Sequence, residues 1–177
     1  MCWCRASLLA LWLAALPASC AQAQGFFDPQ AALETGIEIA AATLANALVA
    51  SRDAAWVQGT EPMPPHIREA LLTWYPPALL DSIEFRVGVA EDATVQSLSM
   101  RYGDATAVTA IDTIIFADAW DAENNVVLWV HEVKHVEQFR RWGLLGFARR
   151  YVLDHQAVED EAYATAAAFK ALYGGEN

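Results

Sequence analysis

The chain has 177 residues, 11 Lys+Arg against 22 Asp+Glu, and a formal net charge of −11. That length suits one ordinary domain, and 55% hydrophobic with 11% aromatic content excludes a disordered chain. The acidic balance argues against sequence-independent binding to nucleic acid or anionic lipid, both of which depend on Lys and Arg contacts.

The first residues read as a signal peptide over 1–23. Arg5 precedes an apolar run from Leu8 to Leu16, Pro17 breaks it, and Ala21-Gln22-Ala23 offers a small-x-small cleavage site before Gln24. The run is too short for a stable membrane span. Lipidation at Cys20 is the minor alternative, disfavoured by Pro17 where such sites want Leu. The expected location is therefore exported, periplasmic or secreted. Without the leader the chain keeps 10 basic and 22 acidic residues, a charge of −12, and loses Cys2, Cys4 and Cys20. No disulfide or thiolate metal ligand then remains.

Residues 24–61 form an N-terminal helical segment ahead of a domain over 62–177. Its helix spans 29–55, with Asp28-Pro29 as cap and first turn and Ile37, Ile39, Leu44, Leu48 and Val49 at roughly helical spacing. Pro62, Pro64 and Pro65 break it. A short helix with Ile67, Leu71, Leu72 and Trp74 on its apolar side follows, stopped by Pro76-Pro77. Alternation predicts a half-buried strand from Ile83 to Ala90, and β-branched residues predict a second β region from Ala107 to Phe116, bent near Asp112. Asn124-Asn125 open a helix that Gly143 closes; a short helical turn over 144–151 and a terminal helix over 156–173 complete the chain. Trp120, Trp129 and Trp142 are expected to pack the central helix against its neighbours. This order of elements predicts an α+β fold, mostly helical with a small antiparallel sheet.

The central helix carries His131-Glu132-Val133-Lys134-His135. Histidines four apart share one helix face and can converge on one ion, while Glu132 lies about 100° round the helix, able to reach a water without ligating. The third ligand must be a carboxylate. The extended metzincin pattern fails, because Gln138 and Arg141 stand where it needs glycine and histidine. Downstream, Glu159 and Glu161 lie two apart on a predicted helix, so only one of them can join the site.

HEVKH followed by EDEAY resembles the gluzincin arrangement, His-Glu-x-x-His plus Glu-x-x-Ala from the next helix. That register implies Glu159 as the ligand, three before Ala162, with Tyr163 where an Asp often follows. Residues 62–165 are similar to a narrower family, the metallopeptidase-like domain of bacterial toxin-associated and extracellular contractile injection system proteins. The likeness runs through Pro64, Ile67, Arg68 and Leu71, the Val108-Thr109 to Ile115-Phe116 region, HEVKHVEQF at 131–139, Trp142-Gly143 and the 147–151 segment. It implies a compact zincin-like scaffold holding Zn²⁺.

The reading that follows is an exported zinc peptidase acting on a peptide or protein substrate. His131, His135 and Glu159 hold the metal and Glu132 acts as base; Tyr151, His155 and Tyr163 are candidate oxyanion donors. The alternatives are a catalytically inactive zinc-stabilised scaffold and a metal-free helical module. The 109–116 strand is read as ordinary sheet packing, although zincins by analogy place an edge strand beside the cleft. Lys134, Arg140, Arg141, Arg149 and Arg150 are read as a solvated face, with Glu137 pairing to Arg140 and Arg141, rather than as a binding patch.

Overall fold

The computed structural model describes residues 28–88 and 106–173. The predicted leader with Cys20, and the last two residues of the predicted 83–90 strand, lie outside them.

Helix α1 (Pro29–Gln58) opens as its sequence dictates. Asp28 accepts hydrogen bonds from the backbone N–H of Gln30 and Ala31, and Pro29 occupies a first-turn position that needs no donor. Its buried face is Ala41, Ala45, Leu48, Ser51 and Ala55; of the aliphatic set expected, Leu48 is buried, Ile37, Leu44 and Val49 are half-buried, and Ile39 is exposed. The small side chains allow close approach: Ala41 and Ala45 pack on Ala148, and Ala55 on Ala110 and Ile115. Trp56 Nε1 ties the far end of α1 to Thr113 Oγ1 at 2.9 Å. By length and composition alone α1 is long and apolar enough to cross a membrane.

Strand β1 (Glu61–Pro62) leads to α2 (Pro65–Leu71) and α3 (Pro77–Leu80). The Pro76-Pro77 pair thus starts a helix, because proline fits a first turn better than it serves as a stop. Strands β2 (Glu84–Val87), β3 (Ala107–Ala110) and β4 (Thr113–Phe116) complete a sheet in the order β1-β2-β4-β3. The sheet is mixed, not antiparallel. The β3–β4 hairpin turns through Ile111 and Asp112 and inserts β4 beside β2, so that β2 and β4 run parallel. Ile111 holds the turn at φ 66°, an uncommon conformation for a β-branched residue.

Helix α4 (Ala119–Asn124), capped by Asp118, was not anticipated from the sequence. Helix α5 (Val126–Tyr173) starts with Asn125 Oδ1 accepting from Leu128 N and is broken at Gly143 and Asp154, where the backbone leaves helical geometry. Gly143 adopts φ 69°, which a glycine reaches without Cβ strain, and Asp154 caps the next stretch by accepting from Ala157 N. These breaks fold the stretch carrying Glu159 back onto the one carrying the histidines. The main core lies between the sheet and the first stretch of α5, where Phe85, Phe116 and Trp129 meet with ring centroids 4.7–6.1 Å apart. Trp129 is fully buried and donates to Ala122 O; Trp120 is exposed, and Trp142 is flanked by Arg141 and Arg150. The architecture is α+β and mostly helical.

Candidate metal centre

His131, His135 and Glu159 converge. Their Nε2, Nε2 and Oε2 atoms form a near-equilateral triangle with edges of 3.2, 3.3 and 3.4 Å. A tetrahedron with its corners about 2.0–2.1 Å from its centre has edges of about 3.3 Å, so the three donors sit as one face of a four-coordinate site. Both histidines are buried and Glu159 is partly so. Two imidazole nitrogens and a carboxylate oxygen gathered this closely can hold a metal ion.

The titration directions follow from that crowding. Burial pushes the Glu159 carboxyl up, but hydrogen bonds to His131 and His135 outweigh it and hold the group well below the usual carboxylate range. Burial works to lower His135, yet the bond to Glu159 and the charges of Glu132 and Glu159 raise it above an ordinary histidine.

Gln138 fixes the orientation of His135. The Gln138 amide nitrogen donates to Val158 O and Glu161 Oε2, both at 3.0 Å, which leaves its carbonyl oxygen 2.8 Å from His135 Nδ1. Gln138 thus accepts the Nδ1 proton, and Nε2 is the nitrogen turned to the centre, where it pairs with Glu159 when protonated and would serve as a ligand once it gives up its proton. Glu161 does not join the triangle. Arg141 holds it in a two-pronged contact at 2.6 and 2.9 Å and Lys134 adds a third at 3.1 Å, so Arg141 chiefly keeps its carboxyl down at about 2. The two residues that break the metzincin pattern, Gln138 and Arg141, thus belong to the support of the site. Sequence reading did not assign Gln138 that role.

Glu132 lies beside the triangle, 4% exposed and anchored by Thr109. The Thr109 hydroxyl is 2.7 Å from Glu132 Oε2 and 3.1 Å from its backbone oxygen. Nothing local in the sequence singles out Thr109; only the pairing of β3 against α5 brings it there. Glu132 and the triangle line one cleft of about 700 Å³, and Ala107, Val108 and Thr109 of β3 form part of its wall. Of the 109–116 stretch read as ordinary sheet packing, β4 is interior to the sheet as read, whereas β3 is the sheet's edge among the described residues and its Thr109 borders the site.

The three candidate oxyanion donors separate. The Tyr151 hydroxyl lies 3.2 Å from Glu159 Oε1, and burial, followed by the Glu159 charge, pushes it up to about 12, so it remains a donor to that carboxylate. Tyr163 lines the cleft, with its ring centroid 4.5 Å from that of His131. His155 is exposed and does not line the cleft. The basic run is largely paired: Lys134 with Glu137 and Glu161, Arg141 with Glu161, Arg149 with Glu34 and Glu38. Glu137 thus takes Lys134 and not the two arginines expected.

Residues 62–143 match the model of the eCIS core domain. The matched stretch covers just under half of the chain. It contains His131, Glu132, His135, Gln138 and Thr109 and ends before Glu159, so the third donor comes from outside it. No curated protein and no solved structure matches the chain.

Proposed function

We propose that this chain is an exported zinc-dependent peptidase that hydrolyses peptide bonds with an activated water. The observation that carries the reading is the triangle of His131, His135 and Glu159 with Glu132 beside it in an open cleft. A donor set of two imidazoles and one carboxylate suits Zn²⁺, and among the described residues no fourth donor joins the group, as in a catalytic zinc site that keeps a position for water. When bound, Zn²⁺ supplies Lewis acidity, drawing the ionisation of water toward neutral pH and polarising a carbonyl.

This chain's own residues do the rest. Thr109 binds one carboxylate oxygen of Glu132 and leaves the other for the attacking water. Glu132 takes the proton from that water as oxygen adds to the scissile carbonyl carbon. It then gives the proton to the departing amine nitrogen as the C–N bond breaks. Tyr163, with its ring against His131 in the cleft, is the donor we assign to the developing oxyanion. Tyr151 donates to Glu159 Oε1, so Oε2, the oxygen in the triangle, is the one that would hold the metal. The edge strand β3 offers backbone groups along which an extended peptide can lie. Digestion of an unbiased peptide library by zinc-loaded protein tests the reading. Cleavage abolished in Glu132→Gln supports it, and no cleavage by the zinc-loaded wild type overturns it.

A further inference from the structure

The cleft has an apolar wall whose only group used by the hydrolytic chemistry, among the described residues, is the Tyr151 hydroxyl. Leu44 and Leu48 lie one turn apart on α1 and line the cleft together with Phe147 and Tyr151 of α5. The wall begins at the metal donors themselves. The Phe147 ring stands edge-on to His135 with centroids 6.2 Å apart, Tyr151 stacks on Phe147 at 5.7 Å, and the Tyr151 hydroxyl reaches Glu159. Leu48 and Phe147 are buried in one apolar cluster, with Leu44 and Tyr151 half-buried against it, so the wall is backed by packed side chains. All four residues lie outside the 62–143 stretch that matches the eCIS core domain.

We propose that α1 supplies the specificity wall of this cleft: Leu44 and Leu48, with Phe147 and Tyr151, take a large aliphatic or aromatic substrate side chain next to the bond that is cut. The inference rests on the peptidase reading for its substrate class. Among the described residues no Lys or Arg lines the cleft, and its carboxylates are Glu132 and Glu159. Against the wall itself an acidic side chain meets the Glu159 carboxylate and no cationic side chain, and a polar one is desolvated against Leu44, Leu48 and Phe147. An apolar side chain loses only its hydration shell, which favours binding.

The test uses the full zinc-loaded chain and peptidyl hydroxamates differing in one side chain: glycine, leucine, phenylalanine or aspartate, with binding followed by calorimetry. Leucine and phenylalanine are expected to bind at least about tenfold tighter than glycine, and aspartate no tighter than glycine. Leu44→Phe, which narrows the subsite, is expected to remove the phenylalanine preference and leave glycine binding within about twofold. Equal affinity across the series, tighter binding of aspartate, or no binding of any hydroxamate overturns the proposal. A preference for leucine and phenylalanine that survives in folded Leu44→Phe removes Leu44 as its determinant and overturns the α1 wall; if that variant does not fold, Leu44→Met and the wild-type series decide. Library digestion separates the two claims. A ranked hydroxamate series without cleavage defeats the peptidase and leaves an apolar ligand subsite, whereas cleavage with a flat series defeats the subsite alone.

Discussion

The Nδ1–H of His135 donates to Oε1 of Gln138 across 2.8 Å, and the same amide reaches over to Val158 and Glu161 on the returning stretch of α5. One side chain thus orients a histidine of the candidate metal centre and fastens the stretch that brings Glu159 to it. Gln138→Leu is expected to lower zinc affinity by roughly 10- to 100-fold, because it removes the bond that orients the imidazole. Competition against a chromophoric chelator measures this. Unchanged affinity would mean that His135 is oriented by packing alone.

Two neighbouring glutamates have opposite assignments. Glu159→Gln removes the third corner of the triangle and is expected to reduce bound zinc from one per chain to well below one. Glu161→Gln leaves the triangle intact and loosens only the contacts to Arg141, Lys134 and Gln138. It is expected to retain zinc with an affinity loss of no more than about tenfold, the low end for a supporting group. Elemental analysis of the two purified variants checks the pair, and the reverse pattern would exchange their roles.

Acid should release the metal, and the direction follows from His135. Its folded-state pKa lies above the ordinary value, so in the metal-free protein the imidazolium paired with Glu159 contributes stability that is full below the unfolded pKa. That contribution fades as pH rises through the folded pKa. Metal competes with this proton, so metal binding strengthens as pH rises through the same range and releases protons. Calorimetry in buffers of different ionisation enthalpy should detect proton release on zinc binding that diminishes as pH rises. A pH-independent affinity between pH 5 and about 8 would contradict the arrangement.

Gly143 ends the first stretch of α5 at φ 69°, and a Cβ built there meets nothing within 4 Å. Any cost of Gly143→Ala is therefore backbone strain alone. With ψ at 166°, the backbone lies in a region essentially reserved for glycine, and the substitution is expected to destabilise the fold by about 1–3 kcal/mol. Denaturant unfolding measures it, and an unchanged midpoint would show that the break tolerates a side chain.

What was legible in the sequence was local. Two histidines four apart and a glutamate between them are set by helix geometry, so His131, Glu132 and His135 could be placed before any fold was known. Asp28, Gly143 and the hairpin near Asp112 were readable for the same reason. Glu159 needed the register of a resemblance, because choosing it over Glu161 depends on Lys134 and Arg141 holding the latter from another stretch of helix. Thr109 carried no signal, since its role exists only once β3 lies against α5. The parallel pairing of β2 with β4 spans a long separation along the chain and has no local signature. Trp120 and Ile39 were misjudged as packing residues because apolarity does not say which helix face is covered, and α1 turns its alanines inward.

The most direct test of the account is Glu132→Gln measured two ways on the same preparation, for zinc content and for peptide hydrolysis. Glu132 stands beside the three donors and is not one of them. The account predicts zinc at one per chain in both wild type and variant, with hydrolysis in the variant reduced by roughly 10²- to 10⁴-fold, the usual worth of a general base. Loss of zinc along with activity would make Glu132 part of the metal's support, and hydrolysis undiminished in the variant would contradict the account.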